Sequence, residues 1–189
     1  SYNTLINNTA NSNSYGIVLY LSLNNNVTNN TASNSNYYDG ILVHNSSNNN
    51  LTNNLTNNNY LGIYLYYSSN NNLTNNNASN NNYSGIHLYN GSDNILTGNS
   101  ASFNNYYGMS IDLCQNNTIG GTGAQQPNTI NNNGISGIYL TASNGIKISG
   151  NSIYNNPIAI QNSDGSNSNK AAPVINSFDG ATVIGTSEP

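Results

Sequence analysis

A Gly-Ile step recurs along this chain at Gly16, Gly40, Gly62, Gly85, Gly108 (followed by Met109) and Gly137, with a weakened copy at Ala159-Ile160. The intervals are 24, 22, 23, 23, 29 and 22 residues. A period in that range marks a solenoid, in which each repeat stacks only on its neighbours. Every residue then belongs to a column of equivalents, and the columns can be read one by one for chemistry.

The position after the Gly holds Ile17, Ile41, Ile63, Ile86, Met109, Ile138 and Ile160. Two residues on come Leu19, Val43, Leu65, Leu88, Ile111 and Leu140. Mixed residues stand between and after them: Val18, Leu42, Tyr64, His87, Ser110 and Tyr139, then Tyr20, His44, Tyr66, Tyr89, Asp112 and Thr141. Apolar residues at period two make a strand with one buried face. A second apolar column, Val27, Leu51, Leu73, Leu96, Ile119 and Ile148, follows, with Leu5 in a partial first coil. Asn, Ser, Thr and Gly between the columns favour turns over helix.

Three residues past the second apolar column stand Asn8, Asn30, Asn54, Asn76, Asn99, Thr122 and Asn151. Small and apolar residues, Ala10, Ala32, Thr56, Ala78, Ala101, Ala124 and Ile153, accompany them. Identical amides stacked at the strand spacing of about 4.8 Å can donate to and accept from the copies above and below. Asn30, Asn54, Asn76, Asn99 and Asn151 are therefore expected to form an inward structural ladder. The whole pattern is an all-β parallel β-helix, a solenoid of about seven coils of 22–24 residues, on the order of 35 Å long. Residues 1–163 form this unit. Residues 164–189 read as a linker and short strands at Ala172–Ile175 and Thr182–Ile184, either a cap or the start of a following domain. The long interval before Gly137 places an insertion at Gly120–Pro127. Ser1 falls in mid-repeat, the mark of a processed form or a fragment.

The run Asn-x-Leu-Thr-Asn-Asn-x-Ala-Ser-Asn-Asn-Asn-Tyr-x-Gly-Ile-x-Leu resembles the right-handed parallel β-helix repeat family, above all its Asn-rich NosD-like branch and secreted surface proteins. Asn117–Gly121 and Gly150–Ile153 are similar to segments of large secreted β-helical proteins. The resemblance implies a fold that hosts lyases, hydrolases, adhesins and inert stalks alike.

Composition narrows the partners. Charged residues are 4% of the chain, with a net charge of -4 and no Arg, so phosphate neutralisation and nucleic-acid binding are not expected. No apolar run approaches the ~20 residues of a spanning helix. The single Cys114 precludes an internal disulfide and substitutes for Ser22, Ser46, Ser68 and Ser143 in its column. Asn supplies about a quarter of the residues, far above ordinary usage.

The resemblance implies that sugar cleavage by this fold uses clustered Asp or Glu, or acids with Ca²⁺ and a basic residue, and hydrolysis needs two carboxyls flanking the bond. Asp39, Asp93, Asp112, Asp164, Asp179 and Glu188 lie in different coils with no pair on one strand face, and Asp93 takes the place of a turn Asn. His44 and His87 sit two coils apart in outward columns, too far for shared ligation. No catalytic residue, metal site or cofactor is expected on these grounds. Tyr is the one excess, at 15 residues. Tyr64, Tyr66 and Tyr89 with His44 and His87 form a candidate sugar- or partner-contact face. Tyr38, Tyr60, Tyr83 and Tyr106 make a second stack. Candidate N-glycosylation sequons start at Asn7, Asn26, Asn29, Asn45, Asn50, Asn72, Asn77, Asn82, Asn90 and Asn116, while Asn54 lies in the ladder.

The expectation from these residues is a non-enzymatic extracellular or cell-surface rod that self-associates, end to end or laterally, into a filament, sheath or surface layer. Two alternatives stand beside it: a carbohydrate-binding or adhesive module using the Tyr face, and a relative of polysaccharide lyases and hydrolases.

Overall fold

The computed structural model describes residues 2–35, 37–121 and 126–163, and the backbone of the strands Lys170–Ala171, Ser177–Asp179 and Thr182–Gly185. Three sheets run along the rod, and every strand pair is parallel. The long-strand sheet stacks Ile17–Tyr20, Asp39–His44, Leu61–Tyr66, Ser84–Tyr89, Tyr107–Asp112, Ser136–Thr141, Ile158–Ser163 and Thr182–Gly185. The short-strand sheet stacks Thr4–Ile6, Asn26–Thr28, Asn50–Thr52, Asn72–Thr74, Ile95–Thr97, Thr118–Gly120, Lys147–Ser149 and Lys170–Ala171. A third line begins as single bridges through Thr9, Thr31, Leu55, Asn77 and Ser100, and becomes strands at Thr129–Asn131, Ser152–Tyr154 and Ser177–Asp179.

The register is that of the repeat. Ile17, Ile41, Ile63, Ile86, Met109, Ile138 and Ile160 pair in succession, and Leu5, Val27, Leu51, Leu73, Leu96, Ile119 and Ile148 do the same on the short-strand sheet. Together they are the core, and most are fully buried. A slip of one residue would turn these side chains to water, so burial pins the register. The Gly of the step is required by close approach: a Cβ on Gly62 would lie 2.5 Å from the Gly85 carbonyl oxygen.

The amide ladder is present, and it is one of three. Asn54 Nδ2 donates to Asn76 Oδ1 at 2.9 Å and to the Val27 carbonyl at 2.8 Å, while its backbone N–H donates to the same Oδ1 at 3.0 Å. Each amide thus ties three coils. A second ladder runs through Asn3, Asn25, Asn49, Asn71, Asn94 and Asn117, and a third through Asn59, Asn81, Asn104, Asn133 and Asn156. The sixth place of the first ladder belongs to Asn128, not Thr122: Asn99 Nδ2 donates to Asn128 Oδ1 at 3.1 Å, and Asn128 Nδ2 to Asn151 Oδ1 at 2.8 Å. Ile130 likewise takes the small-residue place given above to Ala124. Thr122 and Ala124 lie outside the described residues, as do Asp164, Glu188 and the Ala172–Ile175 segment. Counting at a fixed offset from Ile119 cannot see an insertion that falls between the strand and the ladder.

Candidate functional site

The outer face of the long-strand sheet carries Tyr20, His44, Tyr64, Tyr66, His87 and Tyr89. Alternation along each strand sends two columns outward, and parallel stacking brings like positions into contact from coil to coil. Tyr20 meets His44 edge-on at 5.0 Å between centroids, and His44 meets Tyr66 at 4.9 Å. Tyr66 stacks on Tyr89 at 5.4 Å and Tyr64 on His87 at 4.9 Å, while Tyr64 and Tyr66 touch at 5.5 Å. All five residues of the expected face are therefore in one continuous cluster.

The face extends beyond them. Tyr107 stacks on Tyr139 at 4.5 Å with planes 10° apart, and Ser110 lies beside His87 in register. The second tyrosine stack is interrupted: Tyr60, Tyr83 and Tyr106 stack in order, whereas Tyr38 pairs with Tyr15. Tyr83 reaches Tyr107 edge-on at 5.7 Å and so joins the two stacks.

His87 is the unusual member. The sequence places it in a surface column, but both ring nitrogens are hidden from solvent and neither has a hydrogen-bond partner. Burial pushes its pKa down to about 4, so the ring is neutral at ordinary pH. Leaving two buried polar atoms unmet is costly, and native structures keep such atoms only rarely. Asp39, buried at the start of its strand, is pushed up to about 7 by desolvation. Tyr64 is raised by burial first, then by the charges of Asp39 and Asp112. Both acids therefore act on one phenol from different rungs. Reading the six acids strand by strand missed that convergence, because it arises across rungs. Asp39 and Asp112 themselves stand three rungs and most of a strand apart, on the order of 20 Å.

Other expected positions are structural. Asp93 has φ 57°, in one column with Asn24, Asn48, Asn70 and Asn116, all in the left-handed turn region. Cys114 is buried, its N–H donates to Ser143 Oγ at 2.9 Å, and burial pushes its thiol up to about 11. It is a serine-column residue with no thiolate at neutral pH. Asn7, Asn26, Asn29, Asn45, Asn50, Asn72, Asn77, Asn82, Asn90 and Asn116 are all exposed, and Asn54 is buried. Among the described residues no group of three or more His, Cys, Asp or Glu could hold a metal ion. A separate cavity of about 570 Å³ lies near the first coils, lined by Ser12, Asn13, Ser14, Asn34, Tyr37 and Tyr38, away from this face. Among the described residues no helix is long and apolar enough to cross a membrane.

The sequence model described as the right-handed β-helix region matches residues 34–178. The chain belongs to the right-handed β-helix family. No curated protein matches this β-helix by sequence. Among solved structures, a double mutant of the periplasmic alginate epimerase AlgG is similar over 92% of this chain and 46% of its own, at 20% identity and TM-score 0.79. The A-module of the Azotobacter vinelandii mannuronan C-5 epimerase AlgE4 is similar over 97% of this chain and 58% of its own, at 21% identity and TM-score 0.75. This β-helix thus spans about half the length of those neighbours.

Likeness at this level of identity carries the fold. It also corrects the expectation of a non-enzymatic structural rod built into filaments or surface layers, since these similar β-helices are named as carbohydrate-modifying enzymes. That expectation rested on the lack of clustered acids, a carboxylate pair above all. Epimerisation at carbon is proton transfer and needs no such pair.

Proposed function

We propose that this β-helix is a polysaccharide-modifying enzyme that binds a uronate polymer along the outer face of its long-strand sheet and transfers a proton at sugar C5. The observation that carries this reading is His87: a neutral imidazole with two unpartnered ring nitrogens, stacked on the protonated Tyr64. The mannuronan C-5 epimerases among the similar structures supply the substrate class.

In this reading the sugar displaces the rings covering His87, and an imidazole nitrogen takes the C5 proton as general base. The electron pair left on C5 delocalises into the adjacent carboxyl group. Tyr64, kept protonated by burial and by its acidic neighbours and swung aside by the entering sugar, is the acid that returns a proton to C5 on the other face, giving the epimer; proton exchange with water then resets the imidazolium and the phenolate. If the pair instead expels the glycosidic oxygen at C4, the chain breaks and leaves an unsaturated end. Asp39, protonated below about 7, approaches as a neutral donor and does not repel an anionic polymer there. Hydrolysis is disfavoured, because its two carboxyls must stand ~5–9.5 Å apart and Asp39 and Asp112 do not.

The stacked tyrosines provide flat apolar surface for pyranose rings. An extracellular or cell-surface setting, with glycans on the ten exposed sequons, belongs to the same proposal. Incubation with mannuronan tests it: proton NMR of the product should show the C5 epimer or unsaturated ends. An unchanged polymer across pH 4–8 would overturn the reading.

A further inference from the structure

The turns that end six of the long strands each put one residue in the left-handed region: Leu21, Asn45, Tyr67, Asn90, Leu113 and Ala142, with φ from 46° to 53°. Asn enters that region readily; aliphatic and aromatic side chains do so at a cost. Tyr67 bears this cost at φ 49° and is still 43% exposed, so core burial does not compensate it. Strained backbone of this kind clusters at functional positions, where the surroundings hold it.

What Tyr67 gains is geometry. Its ring stands nearly perpendicular to Tyr66, at 4.5 Å and 80°, and to Tyr89, at 5.8 Å and 72°. Tyr66 and Tyr89 are themselves stacked with planes 28° apart. The three rings form a right-angled aromatic corner at the end of the face that holds His87. Asn45 and Asn90, exposed in the same turn column one coil to either side, set amide groups beside it.

We infer that Tyr67 is a wall of a sugar subsite, taking the apolar face of a pyranose ring one or more units from the reacting sugar. The inference relies on the proposed function for its substrate class. Three features favour a sugar over a protein partner: perpendicular rings match a flat ring with polar edges, exposed amides flank them, and the corner is continuous with the His87 site. Leu21 occupies the same strained turn two coils away, 64% exposed and without a ring. It is the control.

Oligomannuronates of defined length are titrated by calorimetry into the wild-type chain, Tyr67→Asn and Leu21→Asn, alongside thermal melts and mannuronan conversion. Relief of strain should raise Tm in both variants, by about 2–4 °C. Affinity should fall about tenfold in Tyr67→Asn, the scale of one lost aromatic contact, and stay at the wild-type value in Leu21→Asn. Binding by Tyr67→Asn within twofold of wild type overturns the subsite, and so does a Tm that falls. Wild-type binding without conversion, with Tyr67→Asn still weakened, removes the proposed chemistry and keeps the subsite. No binding by the wild-type chain overturns both.

Discussion

The two long sheets share one period and one stacking, yet their outer faces differ in kind. Through the middle rungs of the short-strand sheet the outward columns read Asn26, Asn50, Asn72 and Thr28, Thr52, Thr74, small polar residues that give way to Thr4 and Ile6 on one side and to Ile95, Thr118 and Lys147 on the other. On the long-strand sheet the equivalent column reads Leu42, Tyr64, His87, Ser110, Tyr139, Gln161. Uniformity over those three rungs shows what the stack itself tolerates on an exposed rung. The varied face is built from residues the stack does not require, and it holds buried atoms without partners at His87 and Gln161. Chemistry is to be sought where the repeat departs from itself and its polar groups go unmet.

The sharpest way to break that contrast is His87→Phe, which keeps an aromatic ring and removes both unpartnered nitrogens. Conversion of mannuronan should drop by about 10²–10⁴, the usual weight of a general base. Tm should hold or rise, since two unmet buried polar atoms disappear. A drop in Tm with conversion intact would make His87 a structural residue like those of the opposite sheet.

Asn76→Ala tests the interior in the same way. Asn76 accepts from the Asn54 N–H and Nδ2, and donates to Asn99 Oδ1 at 3.0 Å and to the Leu51 carbonyl at 2.9 Å. Its loss strands several buried groups at once, at roughly 3 kcal/mol or more. Denaturant melts should show that loss, with the change in turnover confined to the fraction unfolded. A variant as stable as wild type would mean that the ladder is decoration.

The pH dependence of stability separates two ionisable residues of the long-strand sheet. Asp39, raised to about 7 in the folded chain, contributes stability fully present below its unfolded value near 4 and lost as pH rises through 7. His87, lowered to about 4, contributes stability present above about 6.5 and lost as pH falls through 4. Between about 4 and 6.5 the two slopes oppose each other, so the wild-type chain should be nearly flat there. Asp39→Asn should uncover a fall towards acid, and His87→Phe a fall towards neutrality, each at most about 1.4 kcal/mol per pH unit. Denaturant midpoints measured across that range check both signs, and parallel profiles for the two variants would remove the account.

Much of this was legible in the residues, and the rest fails for identifiable reasons. The Ile and Leu columns pair as their spacing says, because a period of two with one buried face admits one register. The ladder at Asn30, Asn54, Asn76 and Asn99 was visible because it sits at a fixed offset from an apolar column. The two further ladders, through Asn49 and Asn81, lay hidden among the many other Asn residues of the turns. Their signal is recurrence at the interval of the Gly-Ile step, which composition alone masks. His87 looked like a surface residue because strand alternation gives direction and says nothing of what covers a side chain. Its covering ring, Tyr64, comes from the neighbouring coil, and Asp39 acts on Tyr64 across another. Coupling between rungs is a property of the stack, and no single repeat contains it.

The smallest expected effect gives the cleanest control on the contrast between required and unrequired residues. Asp93 is an acid, and an inventory of acids would count it. Its backbone, at φ 57°, repeats the left-handed turn that Asn24, Asn48, Asn70 and Asn116 occupy in the same column. Asn and Asp are the residues that enter this region with least strain, through short polar side chains that bond locally. Asp93→Asn should therefore change stability by less than about 0.5 kcal/mol. It should also leave mannuronan conversion at the wild-type rate, because the substitution restores the repeat at a turn the stack already prefers. A marked loss of conversion would place a working carboxylate outside the varied face, and the division between the two kinds of surface would have to be redrawn around it.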